Sequence, residues 1–115
     1  AHVRLAWLNV RMLGVKKAMN RTSDQIIKYA TSLDEAGIYH DTLTKASVQV
    51  VHHFILKADG NDFVEFIEKN PRLNTEFKEL LESHYSTSLL WSDEARASYV
   101  EPNLLPFDKA TSEAH

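Results

Sequence analysis

Gly37-Ile38-Tyr39-His40-Asp41-Thr42-Leu43-Thr44 is the stretch on which the fold turns. The residues before it and after it both carry helical periodicity, so it reads as a joint between two helices. Leu33-Asp34-Glu35-Ala36 reads as a helix end. Glycine accepts the left-handed backbone that closes a helix, which makes Gly37 the expected stop. Asp41, Thr42 and Thr44 are candidate caps for the next helix, since their side-chain oxygens can accept from its free N–H groups.

Helical geometry sharpens this. At about 100° per residue, Leu43, Val50, Val51, Phe54, Ile55 and Ala58 share one face. His40, Thr44 and Ser47 fall on that face if the helix starts near His40. Lys45, Gln49 and His52 lie opposite. An imidazole and two hydroxyls turned inward need partners, because an unpaired buried polar group costs about 1–3 kcal/mol.

Outward from the joint, the chain reads as helices. His2 to Leu13 is a largely apolar helix ending near Gly14, with Arg4 and Arg11 on its solvent side and His2 and Asn9 opposite. Val15 to Ala36 has the stripe Val15, Ala18, Met19, Thr22, Ile26, Ala30 and Leu33. The third helix runs from about His40 to Ala58, and Asp59-Gly60-Asn61 ends it. His52 and His53 are adjacent, point apart and read as flank histidines. Asn61 or Asp62 caps a short helix to Lys69, and Asn70-Pro71 breaks the chain. Asn74 or Thr75 caps a fifth helix to about His84, whose spacing from Phe77, Leu80 and Leu81 turns it inward. After a Ser- and Thr-rich link, Ser92-Asp93-Glu94 starts a sixth helix to about Tyr99. Glu101 to Phe107 reads as an extended Pro-containing arm in search of a groove, and residues 108–115 as a disordered tail. The expected fold is all-α: a compact single-domain bundle of five or six helices over residues 1–107, with that C-terminal arm.

Composition bounds the function. The 115 residues, 43% apolar and 25% charged, suit one globular domain with its own core. A net charge of −3 disfavours general nucleic-acid binding. The absence of cysteine removes thiol catalysis, disulfides and thiolate metal sites. No apolar run approaches the roughly 20 residues of a membrane span, and no signal peptide is evident. Cytoplasm is the default expectation.

Four motifs in order, H-V-R-L-A-W from His2, G-I-Y-H-D-T-L-T from Gly37, H-Y-S-T-S-L-L-W-S-D-E-A-R from His84 and V-E-P-N-L-L-P from Val100, form a pattern along nearly the whole chain. It resembles a family of small bacterial all-helical proteins of uncharacterised activity. The resemblance implies the fold and points to His2, Arg4, His40, Thr42, Thr44, Tyr85, Ser86 and Arg96, with Asp41 where that pattern usually has Glu. It implies no reaction.

The chemistry these residues offer divides four ways. His2, His40 and His84, from separate helices, are expected to face inward and form a candidate metal trio, for which a divalent ion would be the cofactor; Asp41, or Asn9 in support, would complete it. No H-x-x-x-H or H-E-x-x-H spacing accompanies them. Alternatively His40 is a general base, with Thr44, Tyr85 or Arg4 binding a polar substrate. A third reading is binding without turnover of a small polar or anionic molecule, held by Arg4 and the free N–H groups near Thr42. The fourth is a helical interaction or regulatory module, with a homodimer as one form of it, in which the polar cluster only fixes helix register and Trp91 and the arm form docking surface. Convergence of the three histidines favours the site readings, and histidines bonded separately to carbonyls favour the module. The expected pocket lies where the N-termini of the first and third helices meet the 84–86 link.

Overall fold

The computed structural model describes residues 2–107, apart from the side chain of Ala36; the expected tail at 108–115 lies outside them. Three long helices come first: α1 (His2–Leu13), α2 (Val15–Ser32) and α3 (Asp41–Lys57). Five shorter ones follow: α4 (Phe63–Lys69), α5 (Arg72–Thr75), α6 (Phe77–Glu82), α7 (Thr87–Leu90) and α8 (Asp93–Ala97). A 3₁₀ turn, Ala36–Ile38, precedes α3, and no strand occurs among the described residues. The domain is all-α, with a radius of gyration of 13.6 Å against about 13 Å for a folded chain of this length.

Helices α1, α2 and α3 pack on one another and carry most of the core. Gly14 joins α1 to α2 alone, at φ 83°, a backbone region that side chains with a Cβ rarely adopt. Asn9 stitches the same pair, donating to Thr22 Oγ1 at 2.9 Å and to Gln25 Oε1 at 2.8 Å. Trp7 is the hub toward α4. Its indole stacks on Phe66, meets Phe63 at 5.7 Å and donates to Asp59 Oδ1 at 2.9 Å, with the Arg11 guanidinium 4.5 Å over its ring.

The joint before α3 differs from the sequence expectation. The left-handed residue is Asp34, at φ 59°, and Gly37 has no positive φ. Asp34 N–H donates to Thr31 O at 3.0 Å and Glu35 N–H to Ala30 O at 2.7 Å, the paired bonds of a Schellman helix end. Aspartate tolerates this conformation better than most side chains, so the left-handed stop comes three residues before the glycine. Nor do Asp41, Thr42 or Thr44 cap α3. His40 does, accepting from Leu43 N–H through its imidazole.

The second half is more broken than expected. The anticipated fifth helix shortens to α6, leaving His84 beyond its end; the single turn α5 forms ahead of it after Pro71, and the link after it forms α7, capped by Ser86. Ser92 caps α8, which ends at Ala97. Residues 98–106 run without helix, yet they do not lie in an apolar groove: Leu104 and Leu105 are exposed, and only Val100 and Phe107 pack on the core. Polar joints hold the segment instead. None of the described helices is long and apolar enough to cross a membrane.

Candidate functional site

The residues singled out by sequence fall into three places. The first is the start of α3. His40, 5% exposed, has both ring nitrogens engaged. Nδ1 accepts from Leu43 N–H at 3.0 Å, so the proton sits on Nε2, which donates to Leu90 O at 2.6 Å. Burial lowers its pKa below the ordinary 6.5, and its ring meets Trp91 edge-on at 5.5 Å. Beside it, the buried carboxylate of Asp41 accepts from Tyr39 Oη at 2.7 Å and pairs with Lys45 at 3.0 Å. Ser23 Oγ lies 2.8 Å from the Tyr39 hydroxyl. Burial first, opposed by the Ser23 hydrogen bond and reinforced by Asp41, pushes that phenol up to about 12. Thr44 and Ser47 turn back to the helix, donating to His40 O and Leu43 O.

The second place is a clasp on the C-terminal segment. Thr42, wholly buried, donates to Ser98 O and accepts from Val100 N–H, both at 3.1 Å. Tyr85, also wholly buried, donates to Val100 O at 2.8 Å, and burial raises its pKa. His84 donates from Nδ1 to Leu105 O at 2.9 Å and lies against Phe107, its pKa lowered by burial. Ser86 exchanges two hydrogen bonds with Asn103. The link expected to line a pocket is therefore the anchor of the segment that follows it.

The third place is the N-terminal end of α1. His2 is half-buried, with a pKa lowered chiefly by burial, and Arg4 is exposed. His2 lines a cavity of about 560 Å³ with Val3, Leu43, Ser47, Phe77, Lys78, Leu81, Leu90 and Trp91. It also lines one of about 220 Å³ that reaches Tyr39 and His40. The N-termini of α1 and α3 thus do bound a pocket, but α6 and α7 close it in place of residues 84–86. Sequence reasoning missed Phe77, Lys78, Leu81 and Leu90 as lining. The inward spacing of Phe77 and Leu81 was visible, but not that Lys78 would border the cavity or that an early turn, α7, would bring Leu90 to it.

The chain matches no family model, no curated protein and no solved structure. The site is therefore read from its own geometry. The candidate metal trio is not assembled: among the described residues no three His, Asp or Glu side chains are grouped to hold an ion. His40 and His84 each bond a separate carbonyl, and Asn9 is spent on α2. The general-base role expected of His40 meets the same obstacle, since neither of its nitrogens is left to take a substrate proton.

Proposed function

We propose that this protein works as a helical interaction module. The observation carrying the reading is an apolar strip along α1, α2 and the 3₁₀ turn. Met12, Leu8, Tyr29, Leu33 and Ile38 are exposed, and Leu5 and Ile26 fill the spaces between them. A contiguous exposed apolar surface marks a contact site more often than chance exposure does. The other support is the fate of the motif residues. His40, Thr42, Thr44 and Tyr85 direct their hydrogen bonds inward to the fold, and Ser86 is held with Asn103 at the surface. The likeness to a family of small bacterial helical proteins then concerns a shared architecture, and its motif a set of joints.

The partner proposed is a second copy of the chain, each strip covering the other about a twofold axis. Leu8→Asp and Tyr29→Asp test it, since both positions are exposed and neither side chain supports the core. Sedimentation velocity should show the parent as a dimer and each variant as a monomer of unchanged helicity. Identical sedimentation of all three would refute the self-association.

A further inference from the structure

The cavity of about 560 Å³ is lined by residues of α1, α3, α6 and α7 and by Trp91, and none of the exposed residues of the apolar strip lines it, so it asks for a separate explanation. Its volume is in the ordinary range for small-molecule sites, about 300–1,000 Å³. Its walls are Val3, Leu43, Phe77, Leu81, Leu90 and Trp91, aliphatic and aromatic throughout. Three polar side chains interrupt them. Ser47 is spent, its hydroxyl donating to Leu43 O at 2.6 Å. His2 and Lys78 have neither a hydrogen bond nor an ion pair from their side chains among the described residues. Among the described residues no carboxylate lines the cavity.

We infer that this cavity binds a single-chain anionic amphiphile, a medium-chain fatty carboxylate, with its tail on the apolar walls and its head at Lys78 and His2. The charge pattern selects this class. A neutral hydrocarbon would leave the Lys78 ammonium without a role. A nucleotide or sugar would need several hydrogen-bond groups, and the walls offer almost none. An alkyl carboxylate satisfies both halves, burying methylenes on Phe77, Leu81 and Leu90 while its charge faces an ammonium that lacks a partner.

The seat is held independently of any ligand. Leu90, part of the wall, has its carbonyl fixed by His40, and the Trp91 ring rests edge-on against the same imidazole. Trp91 is 44% exposed, whereas Trp7, the other tryptophan, is buried at 4%, so a molecule in this cavity reports through Trp91.

The test titrates the full chain with decanoate and with decanol, below their aggregation thresholds, reading tryptophan fluorescence and, in parallel, heat. Decanoate should give a saturable blue shift that is retained in Trp7→Phe, where Trp91 is the remaining tryptophan. Decanoate should bind about two- to fivefold more tightly than decanol, the range of a surface ion pair. Lys78→Glu, at an exposed position, should erase or invert that preference while decanol binding stays. No saturable heat with either amphiphile would overturn the proposal. So would equal affinity for both in the parent, or a preference that Lys78→Glu leaves intact.

Discussion

His40 has two ring nitrogens and both are committed, which makes it a joint between α3 and α7. Its Nδ1 replaces a backbone carbonyl as acceptor for Leu43 N–H, and its Nε2–H reaches Leu90 O fifty residues away. His40→Ala removes the cap and orphans a buried carbonyl, for an expected loss of about 2–4 kcal/mol in urea unfolding. His40→Asn restores a capping side chain and should recover about 1 kcal/mol of that. The joint is also pH-sensitive, because a proton on Nδ1 destroys the acceptor. The folded pKa lies below 6.5 through burial. The neutral imidazole's contribution is therefore complete above 6.5 and is lost as pH falls through the folded value. The urea midpoint of the parent should drop below pH 6.5, and that of His40→Ala should drop less. Equal slopes would assign the effect to His2 and His84, whose pKa values are lowered in the same direction.

At the scale of elements, the end of α2 shows what a sequence does and does not disclose. The Schellman bonds at Thr31 and Ala30 put Asp34 at φ 59°, a conformation that costs a residue with a Cβ about 1 kcal/mol. Asp34→Gly should stabilise the protein by up to about 1 kcal/mol. Gly37→Ala should change little, since its backbone is not left-handed and an added Cβ would meet nothing within 4 Å. A large loss at Gly37 in thermal unfolding would restore the glycine as the stop signal. The three long helices were legible because each has an apolar stripe at helical spacing: α1 follows its expected bounds, α2 ends at Ser32, short of the expected Ala36, and α4 is capped by Asp62, one of the two residues expected. The short helices α5 and α7 were not legible, being single turns without a period of their own to recognise. Their positions follow from tertiary partners, such as the Leu90 carbonyl on His40.

For the molecule as a whole, the question is whether the loosely helical second half melts apart from the three-helix core. The inward-facing polar residues were visible from spacing, but their partners were not, since a bond such as Thr42 to Ser98 and Val100 spans more than fifty residues. Those long-range bonds decide the matter. His40 ties α3 to α7, Thr42 ties α3 to the chain after α8, and Tyr85 meets that same chain at Val100. Leu80, Leu81, Tyr85 and Leu90 belong to the same buried cluster as Val48, Val50 and Val51 of α3. Opening the second half alone would strip these residues and orphan the buried groups of α3, so the two halves should unfold as one cooperative unit. In Trp7→Phe the remaining tryptophan, Trp91, reports on α7, while far-UV circular dichroism reports mainly on α1, α2 and α3. Their urea midpoints should coincide. Adding Thr42→Val, which leaves the Ser98 carbonyl and the Val100 amide without their shared hydroxyl, should lower both midpoints together by about 1–3 kcal/mol. A Trp91 transition that precedes the loss of helix would mean that the joints on α3 clasp the second half without coupling it to the core.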